Sequence, residues 1–88
     1  MLKLSLLSSA LMLASVPYLS AQSCEEAYYQ RNILYKNAGY CFKTPRAIQM
    51  FGNAGCRYDS VVEVPLSKQQ RAAISEIQAF EQTHRCPR

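Results

Sequence analysis

The sequence predicts a small all-α module, stapled by two disulfides and exported behind a cleaved signal peptide. Three observations carry that expectation: an apolar N-terminal run of leader length, three helical stretches with start and stop signals, and four cysteines that all fall after the leader. The chain has 88 residues and a formal net charge of +4, of which Lys3 supplies one unit. A domain from Cys24 onward would bury only about 60% of its unfolded surface and would need a staple to hold its fold.

The leader comes first. Lys3 gives a short positive start, and "LSLLSSALMLASV" (4–16) is apolar but shorter than the roughly 20 residues of a spanning helix. Pro17 interrupts it and small residues follow in "LSAQSC". Cleavage fits after Ala21 or after Ser23, giving a signal peptide of 1–23 and a domain of 24–88 without a transmembrane segment. Cys24 directly follows Ser23, which raises lipidation as a rival. Ala21 and Gln22 depart from the lipobox pattern, however, and acylating Cys24 would leave an odd number of cysteines for an oxidising compartment.

A first helix is expected over about 24–39. Cys24, Ala27, Tyr28, Arg31, Leu34, Tyr35 and Ala38 form one stripe at helical spacing. Glu25 and Glu26 complement the positive end of its dipole. Gly39 supplies the stop, because glycine takes positive φ without a Cβ penalty, and Tyr40 follows to fold back on the last turn. The second helix, about 45–52, has Thr44 as N-cap, Pro45 at its first position and Gly52 at its end, with Ala47, Ile48 and Phe51 as its buried face. "NAGCRYDSVVEVPL" is loop, with Val61, Val62 and Val64 extended across the helices. The third helix, about 67–83, opens on a capping-box pair, Ser67 and Gln70. Ala73, Ile74, Ile77 and Phe80 are its apolar stripe, and Lys68, Arg71, Glu76 and Glu81 face water.

Cys24, Cys41, Cys56 and Cys86 have the even count and wide spacing of disulfides rather than metal ligands; no CxxC pair exists and His84 is the lone histidine. If Cys24 starts the first helix and Cys41 lies past its end, they stand about 25 Å apart at 1.5 Å per residue. A disulfide needs Cα atoms within about 7 Å, so that pairing is excluded. Two pairings remain. Antiparallel packing of helices one and three selects Cys24–Cys86, with Cys41–Cys56 closing the short middle helix into its own loop.

No catalytic set is found, and neither a metal nor a cofactor is expected. His84 suits a helix C-terminus, adjacent Glu25 and Glu26 point in different directions, and Gly52 and Gly55 lack the surroundings of a phosphate loop. Binding candidates are cationic and aromatic. Arg31 and Tyr35 lie on the first stripe, where Arg31 either stacks on tyrosines and bonds loop carbonyls or joins an anion-binding surface. Lys36, Lys43, Arg46 and Arg57 cluster around the Gly39 turn and could meet phosphates, lipid headgroups or cell-wall carboxylates. Nucleic acid does not fit an exported protein.

"RNILYKNAGYCF" resembles the signature of the YARHG domain, through Arg31, Asn32, Leu34, Tyr35, Gly39, Tyr40 and Phe42. The family's central Ala, Arg and His are replaced by Lys36, Asn37 and Ala38. "FKTPRAIQMFGNAGCRYDS" and "VPLSKQQRAAISEIQAFE" are similar to its cysteine-containing members, so the resemblance spans about Cys24 to Arg88. It implies an extracytoplasmic domain, periplasmic or secreted, presumed to bind the envelope, and it carries over no catalytic residue. The expectation is a non-enzymatic module whose partner is a cell-envelope component such as peptidoglycan. The alternative is a small protein-binding or inhibitor protein using exposed tyrosines such as Tyr29 and Tyr58.

Overall fold

Ser23 caps the first helix: its hydroxyl accepts the Glu26 N–H at 3.0 Å, and the Glu26 carboxylate accepts the Gln22 N–H at 2.7 Å. The computed structural model describes residues 21–87. The signal peptide expected over residues 1–23 therefore lies outside the described residues except for its last three. Three α-helices follow, α1 (Cys24–Asn37), α2 (Pro45–Phe51) and α3 (Lys68–Thr83), with a 3₁₀ turn at Val61–Glu63. Strands are absent among the described residues; a lone parallel bridge joins Tyr40 to Tyr58.

The chain leaves α1 two residues before Gly39, through a paired set of bonds. Gly39 N–H donates to the Lys36 carbonyl at 3.0 Å and Tyr40 N–H to that of Tyr35 at 3.1 Å. Gly39 itself sits at φ +100°, and the Tyr40 and Tyr35 rings close the motif with centroids 5.7 Å apart. Thr44 caps α2 as expected, its hydroxyl accepting the Ala47 N–H at 3.2 Å. Ser67 and Gln70 make both halves of the capping box on α3. The cap sequences thus set all three starts.

Helices α1 and α3 pack antiparallel. Ala27 and Asn32 are the buried residues of the first, and Ala73, Ile74 and Ile77 those of the second. Both disulfides take the expected pairing: Cys24–Cys86 ties the start of α1 to the end of α3, and Cys41–Cys56 closes the loop around α2. All four cysteines are consumed. Lipid on Cys24 is therefore incompatible with this fold, because its sulfur is bonded to Cys86. A second apolar centre lies on the α2 side, where Phe42, Ala47 and Phe51 are buried and Tyr28, Ile33, Tyr35 and Tyr40 pack against them. Phe42 and Phe51 stack at 5.1 Å, and Tyr40 meets Phe42 edge-on at 5.2 Å.

Three expectations about the surface need correction. Val61–Glu63 is a 3₁₀ turn instead of an extended segment, and only Val64 of the three valines is buried; Val62 is 87% exposed. Ile48 on α2 is 42% exposed, because a seven-residue helix presents little more than one stripe and Ala47 and Phe51 fill it. Glu81 is the third: it does not face water, and its partner is described below.

Candidate functional site

Antiparallel packing leaves the N-terminal half of α1 beside the C-terminal end of α3, with the segment around α2 packed against α1. A groove of about 730 Å³ opens there. Four rings line it: Tyr28 and Tyr35 from α1, and Tyr40 and Phe42 from the segment that follows. Tyr40 is placed by the Gly39 turn. Phe42 is fixed by an unusual clamp, in which its backbone N–H donates to Asn53 Oδ1 at 2.7 Å and its carbonyl accepts from Asn53 Nδ2 at 3.0 Å. Asn53 thus mimics a neighbouring strand with its side-chain amide and satisfies both backbone groups of a buried residue.

The cations of the groove are Arg31, Lys43, Arg46 and Arg85, against one lining carboxylate, Glu81. That carboxylate is already committed. Arg31 grips it with a two-pronged pair, Nε to Oε1 at 2.8 Å and Nη2 to Oε2 at 2.9 Å. The two side chains are only 20% and 13% exposed. Two parallel charge-assisted bonds in a partly dry setting are the strongest form such a pair takes. Arg31 therefore bonds a carboxylate across the α1–α3 interface and not loop carbonyls, and its role in the groove is to neutralise Glu81.

Lys43 and Arg46 are held more loosely. Lys43 meets Asp59 and Arg46 meets Glu25, both at 2.8 Å, but the two carboxylates are 83% and 75% exposed. Exposed pairs of this kind hold by only about 0–1 kcal/mol, so a competing anion can take either cation. Arg46 also lies over the Tyr28 ring at 3.8 Å, with Arg31 at 5.7 Å from the same centroid. Stacking keeps the Arg46 guanidinium flat on the aromatic surface whichever anion it holds.

Of the sequence-derived candidates, the fold brings Arg31, Tyr35, Lys43 and Arg46 to this groove and leaves Lys36 and Arg57 off it. Arg57 lies instead near the Tyr58 ring, 5.9 Å from its centroid, beside the Gly39 turn. Sequence reasoning missed Arg85, because the groove wall it joins is made only when Cys86 bonds Cys24. His84 caps α3, its ring stacked on Phe80 at 3.9 Å and its Nδ1 3.0 Å from the Phe80 carbonyl. Among the described residues there is no group of three or more His, Cys, Asp or Glu able to hold a metal ion, and no helix long and apolar enough to cross a membrane.

Comparison with known proteins gives one match. The model of the YARHG domain family matches residues 3–82, nearly the whole chain. No curated protein and no solved structure matches it.

Proposed function

The chain belongs to the YARHG domain family of extracytoplasmic modules, and from that premise we propose that it is a non-enzymatic binding module for a cell-envelope component, with peptidoglycan the first candidate. The observation that carries this reading is the groove, which sets exposed cations around a floor of aromatic rings. Peptidoglycan offers the complement. Its sugar rings present apolar faces to tyrosines, and its stem peptides present carboxylates to arginine and lysine. Two disulfides suit a protein that works in an oxidising compartment, the periplasm or the exterior.

Co-sedimentation of the oxidised protein with purified sacculi tests the proposal. Retention at physiological salt, falling as salt rises, is the expected result, since exposed charge contacts are screened over about 8 Å at that ionic strength. A protein left wholly in the supernatant would reject the reading. A second reading, a protein-binding or inhibitor module, is favoured by one feature: Val61 and Val62 stand out as neighbouring exposed valines. Crosslinking in periplasmic extract separates the two, because a single discrete protein adduct that persists without sacculi points to the inhibitor.

A further inference from the structure

Arg85 occupies a position that normally falls to glycine. It follows the α3 cap residue His84 and takes φ +51°, the left-handed region that side-chain-bearing residues avoid. The bonds around it repeat the motif at Gly39: Arg85 N–H donates to the Gln82 carbonyl at 3.2 Å and Cys86 N–H to that of Glu81 at 2.9 Å. At Gly39 a side chain would crowd the Tyr58 ring. At Arg85 a side chain is tolerated at the cost of local strain, and no ion pair among the described residues uses its charge. Strain in the backbone beside a groove, carrying a cation without a partner, points to a ligand.

We propose that the groove is the peptidoglycan-binding site and that Arg85, with Arg46 and Lys43, recognises the carboxylates of the stem peptide. This rests on the envelope-binding reading above and names its chemistry. Charge complementarity selects the occupant. Among the described lining residues the one carboxylate, Glu81, is neutralised by Arg31; Arg85 has no ion-pair partner among the described residues, and Lys43 and Arg46 have exposed ones. Arg46 and Lys43 surrender only exposed pairs with Glu25 and Asp59 when an anion enters. The volume, about 730 Å³, falls in the range of small-ligand sites. The Cys24–Cys86 bond fixes the wall, since Cys86 lines the groove and directly follows Arg85.

The test separates strain from recognition. Arg85→Gly removes the charge and relieves the backbone at once; Arg85→Asn does the same with a residue that also accepts positive φ. Each is compared with wild type and with Arg57→Gln for thermal midpoint, for binding to a soluble disaccharide-tetrapeptide, and for retention on sacculi. A second set of sacculi has its carboxylates blocked as methylamides. The expected result is a midpoint unchanged or raised in both Arg85 variants, with affinity down about tenfold or more, as the loss of a charge-assisted bond implies. Arg57→Gln should bind as wild type, and blocked sacculi should retain nothing. Wild-type affinity in both Arg85 variants, or equal retention on blocked and native sacculi, overturns the proposal while the envelope-binding reading survives. Failure of the wild type itself to bind native sacculi removes both.

Discussion

At Gly39 the backbone takes φ +100°, and a Cβ built there would lie 3.1 Å from the Tyr58 ring. Two penalties therefore fall on any substitution, one conformational and one steric. Gly39→Ala should lose about 2 kcal/mol of stability, read by denaturant unfolding, with the larger share from the left-handed backbone. Arg31 and Glu81 make a different argument. Removing one partner strands a charge that is mostly buried, so Glu81→Gln should cost about 1–3 kcal/mol, whereas Arg31→Met with Glu81→Leu should cost less than the two single changes summed. A double-mutant cycle measures this. Gly39 was legible in the sequence because its conformation is a local property. The Arg31 partner was not, since Glu81 lies 50 residues away and reads as one more polar residue on a helix surface. Asn53 escaped for the same reason, its partner Phe42 being 11 residues distant and reached through backbone atoms that carry no sequence signal.

Helix by helix, the ends follow from local chemistry and the exposed faces less so. The seven residues of α2 are too few to be stable alone, and Thr44, Pro45 and the Phe42–Phe51 stack hold them in place. For α1 the cap is Ser23, one residue before the domain boundary drawn at Cys24. A chain beginning at Gln22 keeps that cap and one beginning at Cys24 does not. The longer form should be more stable by about 1 kcal/mol, which thermal melts of the two forms would show. N-terminal sequencing of the purified native protein tests the expected cleavage sites. Valines 61 and 62 misled the sequence analysis because β-branched residues favour extended backbone, yet three residues between two ordered segments settle into a 3₁₀ turn whose outer side is left in water.

For the molecule as a whole, a small core has to be reinforced covalently. Domains of this size seldom draw more than about 3–5 kcal/mol from apolar burial, and each disulfide contributes about 2–4. Replacing Cys24 and Cys86 together by serine should therefore collapse the cooperative thermal transition, or leave it far lower, when followed by circular dichroism. The pairing itself was legible in the sequence, because one helix length and one packing direction suffice to choose it. The groove was not. It is a product of three segments meeting, and its cations include one, Arg85, that sits at a left-handed backbone angle past the end of α3. Of the cations clustered along the sequence around Gly39, Lys43 and Arg46 line the groove and Lys36 and Arg57 do not, since neighbours in sequence on a turn diverge in space. The most direct check of the central claim is a ¹H–¹⁵N NMR titration of the oxidised protein with a soluble disaccharide-tetrapeptide. The account predicts saturable shifts concentrated on the amides of Tyr28, Tyr40, Phe42, Arg46 and Arg85. Shifts confined to Val61, Val62 and Tyr29, or no shifts at millimolar ligand, would contradict it.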